Sequence, residues 1–369
     1  MAPKLNPPLV SVVITSYNYA RFIEDALESV SRQTYRPLEC IVIDDCSTDN
    51  SVEVTEAFFA KKRSQNDGVN YSLYSTGKNS GQLAAFQLGI KKSAGVFINF
   101  LDADDFLFPD FVSTHVQVHM EHLVAFTFNE PVEIDADNQV RSFTSNSGDV
   151  YQHLDLQRQN YHTVPFDQYH NCLDTFTIPS IRPETIYPLV AFDNFKWLWY
   201  PTTSTFFRKA AITSICNVKD VDSWRICADN LLLNYAALRS DSCFVAKRLN
   251  AYRRHGKNAF APDEISGKKR SFTNQTLTQM SVMVNLCPKT IIELLAEEYK
   301  DNSTLKRWEI QDLCYQTGFD FVWKHKEFIF EKLGFSSKLS QIKLLLKTII
   351  RNHQFKIKQK HATNKRSHK

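Results

Sequence analysis

Short apolar runs alternate with segments of helical periodicity over the first 120 residues. Residues 9–15, 39–43 and 96–101 have the apolar, β-rich composition of buried strands, and 71–75 is expected to form another strand. The intervening segments predict helices over 19–33, from about 49 to 62 after Ser47 or Asp49 as N-cap, and over 80–93. This alternation predicts an α/β fold with a largely parallel sheet covered on both faces.

The middle of the chain has a less regular pattern. Residues 130–196 mix polar and aromatic side chains without a firm period, and we interpret them as irregular strands and loops that form one wall of an acceptor cleft. Residues 195–207 are rich in aromatic side chains that suit either a core or stacking on a sugar ring, among them Trp197, Trp199 and Tyr200.

Two later segments complete this part of the chain. A short helix is expected over 208–215, and a longer helix within 222–238 places Asp229 near its start. Taken alone, an acid at that position is more often a first-turn residue that interacts with the helix dipole. Residues 251–260 predict a polar loop that contains His255.

Beyond about residue 262 the alternation ends and several helical patterns follow, which predicts a helical C-terminal region over 261–369. Residues 338–369 contain ten Lys and Arg and no acid, whereas the remaining chain has 34 basic and 40 acidic residues. The apolar positions of 339–350 share one helical face. A basic amphipathic helix of this kind predicts a membrane-surface contact, and a packed terminal helix with a solvated basic end is the alternative.

Composition narrows the class of protein. A hydrophobic content of 43% excludes wholesale disorder. The eight cysteines form no CxxC pair, which argues against a zinc ribbon or a dense disulfide scaffold. No run approaches the roughly 18 apolar residues of a transmembrane helix, and the N-terminus lacks a signal-peptide core. We therefore expect a cytoplasmic protein, with the basic tail as a candidate contact to the inner face of the membrane.

The stretch VFINFLDADDFLFPD, residues 96–110, carries the strongest chemical signal. A buried strand ends in three carboxylates within four residues, Asp102, Asp104 and Asp105. Anions this close repel one another unless a positive group lies among them, and a hard divalent cation prefers oxygen ligands. The alternative, an acidic cap before the helix that begins near Pro109, is weaker because an apolar strand precedes the acids.

Polar side chains also follow the other predicted strands. Ligands of open α/β sheets bind beyond the carboxyl ends of the strands, and six polar residues fall there: Thr15, Tyr17, Asp44, Asp45, Asp102 and Asp104. The sequence has neither GxGxxG after the first strand nor GxxxxGK[ST], so a glycine-rich phosphate cradle is not expected. A bound diphosphate would then be neutralised by a metal on the carboxylates.

With these motifs in their order, the chain resembles the family 2 glycosyltransferases of the GT-A fold. The matching pieces are VSVVITSYNYARFIEDALESVSRQTY, ECIVIDDCSTDNS, NSGQLAAFQLGIKKSAGVFINFLDADD, WRICADNLLL and YRRHGKN. The resemblance is strong over residues 9–120, thin over 121–260 and absent over 261–369. It implies a catalytic domain over 1–260, with a nucleotide-sugar half at about 1–120 and an acceptor half at about 121–260.

The resemblance also implies roles for the residues of the donor half. Thr15 and Tyr17 would flank the nucleotide base, and Asp45 would accept a hydrogen bond from uracil with Asp44 beside it. Asp102 would hold the ribose or a metal-bound water.

The same resemblance makes Asp104 the ligand of Mg²⁺ or Mn²⁺, shared with Asp102, and brings His255 to the metal or the diphosphate. Lys78 and Gln82 are both candidates to contact phosphate.

Asp229 matches the catalytic base of the family, although Ala228 replaces the acidic residue that usually precedes it. These roles imply a metal-dependent, inverting glycosyltransferase that moves a sugar from a UDP-sugar to a hydroxyl of a glycan or lipid-linked acceptor, with no nucleic-acid partner. Two alternatives remain open: a nucleotidyltransferase-like enzyme, which would favour a basic or glycine-rich loop after the first strand, and a non-catalytic nucleotide-sugar or glycan-binding module.

Overall fold

The structure is a computed structural model that describes residues 6–142, 186–189, 201–240, 242–256 and 258, together with short helical pieces at 286–287, 289–291, 293–294 and 326. The chain divides into two compact units, Met1–Ala191 with Trp197–Met280, and Phe192–Lys196 with Ser281–Lys369. The aromatic residues Trp197, Trp199 and Tyr200, most of the C-terminal helical region and the basic tail lie outside the described residues.

The donor half forms as the hydrophobic pattern predicts. Four parallel strands lie side by side in the order β3-β2-β1-β4, namely β1 (Val10–Ser16), β2 (Leu38–Asp44), β3 (Val69–Ser75) and β4 (Phe97–Asp102). Three helices connect them, α1 (Ile23–Ser31), α2 (Ser51–Gln65) and α3 (Gln82–Lys92). Strands β1, β2 and β4 are buried on both faces, because a parallel sheet is covered by its connecting helices, whereas the edge strand β3 is only partly buried.

Further strands extend the central sheet on the other side of β4. After β5 (Phe106–Leu107) and α4 (Phe111–Glu121), the additional strands are β6 (Phe126–Asn129), β9 (Ile186–Leu189), β10 (Thr205–Arg208) and β11 (Ser242–Val245). The sheet continues β4-β10-β6-β11-β9, with β10 antiparallel to both of its neighbours. The result is a mixed, mostly parallel α/β sheet.

A second, four-stranded sheet lies beside the acidic turn. It has the order β5-β12-β7-β8, where β7 is Val132–Asp135, β8 is Val140–Ser142 and β12 is Asn250–Arg254. β12 pairs antiparallel with β5, so that Ala251 lies opposite Phe106. The acidic turn thus links the last parallel strand of one sheet to an edge strand of the other.

Phenylalanine rings fill the core on both sides of β4. Phe97, Phe100 and Phe206 are fully or almost fully buried, and Phe207 packs against Phe126 at 5.6 Å between ring centroids. The described end of the aromatic stretch 195–207 therefore belongs to the core. None of the helices within the described residues combines the length and the apolarity needed to cross a bilayer.

Several local expectations were wrong. Residues 208–215 form the end of β10 and two 3-10 helices, Lys209–Ala211 and Thr213–Asn217, because strand pairing with β4 continues to Arg208. Most of the predicted loop 251–260 that the structure describes is strand β12.

Two helix starts also differ from the prediction. The helix expected near Pro109 begins at Phe111, after Asp110. Neither Ser47 nor Asp49 is the N-cap of α2, which begins after Asn50. Ser47 instead donates to Asp44, and Asp49 accepts from the Ser51 N–H.

Candidate active site

The pairing of the parallel strands brings the predicted donor-site residues to one edge of the sheet. Thr15 lies opposite Asp102 in the β1–β4 register, and Ser16 lies opposite Asp44 in the β1–β2 register. The Thr15 hydroxyl donates to Asp102 across 87 positions of sequence, at 3.3 Å. The carboxyl ends of three strands thus form one polar rim.

Thr203 organises the acidic turn from the 3-10 helix Thr202–Ser204, just before β10. Its hydroxyl accepts the Asp102 N–H at 3.2 Å and donates to Asp105 Oδ2 at 2.7 Å. Asp105 is fully buried and accepts a second hydrogen bond at Oδ1 from the Arg253 N–H, at 2.8 Å. The third carboxylate of the turn therefore points inward and anchors the backbone.

Asp104 faces the segment that follows β12. Its Oδ2 lies 2.9 Å from His255 Nε2 and accepts from Asn258 Nδ2 at 3.2 Å. The His255 ring packs on Phe22, at 5.0 Å between centroids, and its side chain is 4% exposed. The structure thus brings together Asp104 and His255, which the resemblance assigns to one metal site.

The buried guanidinium of Arg253 donates a hydrogen bond to the backbone of the acidic turn. Arg253 is 1% exposed and its Nε donates to the backbone carbonyl of Asp104 at 2.6 Å. Its Nη2 forms an ion pair with Asp25 of α1 at 2.7 Å, and its Nη1 donates to Asn138 Oδ1. The cation also lies over the Phe22 ring, 4.7 Å from the centroid. Because its donors go to a carbonyl and to Asp25, the charges of the acidic turn are not neutralised by direct pairing with it.

Two of the three clustered carboxylates, Asp102 and Asp105, have raised pKa values. Burial raises the pKa of Asp102 to about 8, helped by the charges of Asp104 and Asp229 and opposed by the Thr15 hydroxyl. Burial together with the charges of Asp104 and Asp102 also holds the pKa of Asp105 well above its usual range. Two nearby tyrosines, Tyr19 and Tyr252, also have raised pKa values. Burial is the larger cause, and the negative charges of the acidic turn add to it.

This donor set fits a hard divalent cation. Asp102 and Asp104 supply oxygen ligands, as Mg²⁺ and Mn²⁺ prefer, and their mutual repulsion is what a cation would relieve. Within the described ranges, no three His, Cys, Asp or Glu side chains already form a metal cluster. Waters and substrate phosphates usually complete a magnesium site of this kind.

The carboxylates that follow β2 are engaged in local hydrogen bonds. Asp44 accepts from the Ser47 N–H at 2.9 Å, and Asp45 accepts from the N–H groups of Ser80 and Gly81 at 2.8 and 2.7 Å. Asp45 therefore anchors the turn before α3, which the sequence did not indicate. Tyr17, at the same rim, is 43% exposed.

Asp229 lies in the first turn of helix α5 (Ala228–Arg239), as predicted. Its Oδ1 accepts the Asn230 N–H at 2.9 Å. Burial raises the pKa of Asp229 to about 6, whereas a helix start alone would lower it. Its charge in turn raises the pKa of Asp102, so the helix carries Asp229 toward the acidic turn.

Sequence reasoning missed four residues of this site: Thr203, Arg253, Asn258 and Tyr252. Arg253 and Asn258 stand within the matched piece YRRHGKN, where only His255 was given a role. The sequence around Thr203 does not indicate its role, because its hydrogen-bond partners lie in a turn about 100 positions earlier in the chain.

Comparison with known proteins agrees with this geometry. The family model described as Glycosyl transferase family 2 matches residues 11–176, which include the rim of β1, β2 and β4 but neither Asp229 nor His255. An uncharacterized glycosyltransferase of Nostoc sp. is 27% identical over 283 residues, 74% of this chain and 76% of that protein.

Two further relatives are similar over different extents. The putative teichuronic acid biosynthesis glycosyltransferase TuaG of Bacillus subtilis is 34% identical over 121 residues, 33% of this chain and 46% of TuaG. The crystal structure of S. aureus TarS 1–349 aligns with a TM-score of 0.50 and 16% identity, covering 93% of this chain and 80% of that one. At that identity the structural likeness supports the fold alone.

Proposed function

From the match of residues 11–176 to the glycosyl transferase family 2 model and from the arrangement of the carboxylates, we propose that this chain is a glycosyltransferase of that family. Its reaction would be an inverting, metal-dependent transfer of a sugar from a UDP-sugar to an acceptor hydroxyl. The observation that carries the proposal is the connection of α5 to the donor rim: Gln82 Oε1 accepts the Ala228 N–H, the adjacent Gly81 N–H donates to Asp45, and the charge of Asp229 helps to raise the pKa of Asp102. It brings a candidate base to the carboxylates that would hold the donor, although the two residues lie on elements far apart in sequence.

The donor would lie over the rim formed by β1, β2 and β4. Tyr17 is exposed enough to cover one face of the base. Asp45 Oδ1 accepts from Thr76 and Ser80, and Oδ2 keeps a lone pair beyond its bond to Gly81 with which to accept uracil N3–H. Asp102 would accept a hydrogen bond from a ribose hydroxyl. A site built on such hydrogen bonds discriminates against nucleotides that lack the matching donor.

Asp104 and Asp102 would hold Mg²⁺ or Mn²⁺, with His255 beside Asp104. A bound cation stabilises the charge that develops on the leaving diphosphate. The chain's own part is to hold these oxygen ligands in place, which Thr203 and Arg253 do through the backbone and carboxylate of the turn.

Asp229 would remove the proton of the acceptor hydroxyl. A sugar hydroxyl is a weak nucleophile until a base takes its proton, and a base works best when its pKa is near the working pH. Burial raises the pKa of Asp229 to about 6, which makes it a stronger base than an exposed aspartate while leaving it mostly ionised at neutral pH. Attack opposite to the departing diphosphate inverts the anomeric carbon.

One set of purified proteins tests this function. Wild type, Asp104→Asn and Asp229→Asn would be assayed for Mn²⁺-dependent UDP binding, melting temperature and turnover of nucleotide sugars. We expect Asp104→Asn to lose both turnover and Mn²⁺-dependent UDP binding. We expect Asp229→Asn to bind UDP normally and to lose turnover by roughly 10²–10⁴-fold, the range for losing acid–base catalysis.

The opposite results would reject specific parts of the proposal. Full activity of Asp104→Asn in EDTA would exclude the metal role. Normal turnover of a stable Asp229→Asn protein would move the base elsewhere, with Asp222 the next candidate. Binding of UDP without turnover of any nucleotide sugar would favour a binding module. Binding of ATP or CTP in place of UDP would favour nucleotidyl transfer.

A further inference from the structure

The helix that carries Asp229 begins without a cap of its own. The residue before it, Cys227, has a left-handed backbone with φ 63° and makes no side-chain cap hydrogen bond. The first N–H of the helix, that of Ala228, donates instead to Gln82 Oε1 at 2.8 Å, across 146 positions of sequence. A side chain at the start of α3 therefore satisfies a backbone donor that the helix itself leaves open.

The backbone around Gln82 docks on the same segment. The Gln82 N–H donates to the Arg225 carbonyl at 2.9 Å, and Arg225 Nη1 donates to the Asn79 carbonyl at 3.0 Å. Gly81 has φ +85°, and a Cβ on it would lie 2.4 Å from the Arg225 Cα, so no side chain fits there. Residues 79–82 and 225–228 thus form one close backbone contact.

The same turn is fixed at its other side by the donor rim. The Ser80 and Gly81 N–H groups donate to the Asp45 carboxylate, which also accepts from the Thr76 hydroxyl at 2.7 Å. A chain of hydrogen bonds therefore runs from the end of β2 through residues 79–82 to the first turn of α5.

We propose that Gln82 is a positioning residue that orients Asp229 by holding the first turn of α5 against the donor rim. The proposal rests on the role of Asp229 as the base. The hydrogen bond to Ala228 uses only the amide oxygen of Gln82, so the Nε2 of Gln82 and the exposed Lys78 both stay candidates to contact phosphate. A small displacement of a catalytic group costs up to about 100-fold in rate.

Two substitutions at position 82 and one control test this role. Gln82→Met removes the acceptor, and Gln82→Glu keeps an acceptor oxygen at nearly the same place. Gln87→Met is the matched control, because Gln87 is a buried glutamine of the same helix whose Nε2 donates to Ile215 and Val218 carbonyls at 3.0 and 2.8 Å. Each variant would be measured for turnover, donor KM, melting temperature and the pH dependence of kcat.

Gln82→Met is expected to lower kcat by about 10- to 100-fold with little change in donor KM. Gln82→Glu should restore kcat at high pH and move the acid limb of the profile upward, since a new carboxylate near Asp229 disfavours its ionised form. Asp102 and Cys227 are the other titratable groups whose pKa responds to the Asp229 charge, and neither is altered by these substitutions. Gln87→Met should lower the melting temperature and leave kcat and the acid limb unchanged.

Equal kcat losses in Gln82→Met and Gln87→Met at equal loss of melting temperature would overturn the positioning role, and so would wild-type kcat in Gln82→Met. An inactive Gln82→Glu protein with a normal melting temperature would overturn it as well. The Asp229→Asn protein keeps this test separate from the proposed function. If that variant is inactive while Gln82→Met is normal, only the positioning role fails; if it retains turnover, the base assignment itself fails.

Discussion

At the scale of single residues, Asp229 shows how burial overrides a local rule. A carboxylate in the first turn of a helix is expected to have a lowered pKa, because the helix dipole favours its charge. In this cleft desolvation outweighs that effect and raises the pKa to about 6. The base would therefore titrate within the range where enzymes are usually assayed.

We expect this titration in the pH profile. If Asp229 is the base, only its ionised carboxylate can take the acceptor proton, so kcat at saturating metal and donor should fall about tenfold per pH unit below pH 6 and level off above it. Asp229→Asn should abolish that acid limb along with most of the activity. An unchanged limb in the residual activity of the variant would assign it to another group.

A second buried titratable residue should control stability in acid. His115 is fully buried between α4 and β6, with Nδ1 2.7 Å from Thr127 Oγ1 and Nε2 3.1 Å from Asn129 Oδ1. Burial lowers the pKa of His115 to about 3, so the native state keeps the ring neutral. The unfolded chain binds a proton near pH 6.5, so folding stability is lost progressively as pH falls below that value.

Urea unfolding at several pH values checks this. We expect the difference in unfolding free energy between wild type and His115→Gln to shrink on going from pH 7 to pH 5, by at most about 1.4 kcal/mol per pH unit. The other buried groups are present in both proteins and largely cancel in the difference. The raised pKa values of Asp102, Asp105 and Asp229 stabilise the folded state as the pH falls, and the lowered pKa of His119 destabilises it. A constant difference over this range would contradict the assignment.

At the scale of elements, β12 connects the acidic turn to the rest of the fold. Its Arg253 bonds the turn, α1 and the β7–β8 connection at once, with donors at fixed angles. A lysine keeps the charge but not the planar fork, so it cannot serve three acceptors in three directions. The turn should therefore lose its position when only the shape of the cation changes.

For Arg253→Lys we expect a loss of folding stability of about 1–3 kcal/mol, the usual cost of leaving a buried acceptor without its hydrogen bond, and weaker Mn²⁺-dependent UDP binding. Arg254→Lys is the matched control on the next residue of the strand, where a partly exposed ion pair with Glu133 at 2.8 Å should tolerate the change. Calorimetry and UDP titration on both variants check this. Equal effects of the two substitutions would argue against the bracing role of Arg253.

At the scale of the whole molecule, the basic tail over 338–369 lies outside the described residues, and its membrane contact remains a prediction. Ten basic residues without an acid would be attracted to an anionic bilayer, and the effect should weaken with salt. Deleting residues 338–369 should reduce co-sedimentation with phosphatidylserine vesicles and leave binding to neutral vesicles unchanged. Equal sedimentation of both proteins at low salt would favour a packed terminal helix.

The sequence by itself determined the donor half. Apolar runs of strand length with helices between them predict that β1 to β4 run parallel, and the acids after β4 then fall at a ligand-binding edge of the sheet. This is why Thr15 and Asp102, 87 positions apart, could be placed together before any coordinates. The helix at Asp229 was predictable for the same reason, since its apolar periodicity is local.

Tertiary structure alone decided which side chains support the site. Thr203, Arg253 and Gln82 act through hydrogen bonds to residues about 98 to 149 positions away, and no local pattern encodes a partner at that distance. The pKa of Asp229 likewise depends on desolvation by segments that meet only in the fold. Local periodicity fixes which elements form, whereas burial and hydrogen bonding between distant segments fix what their side chains can do.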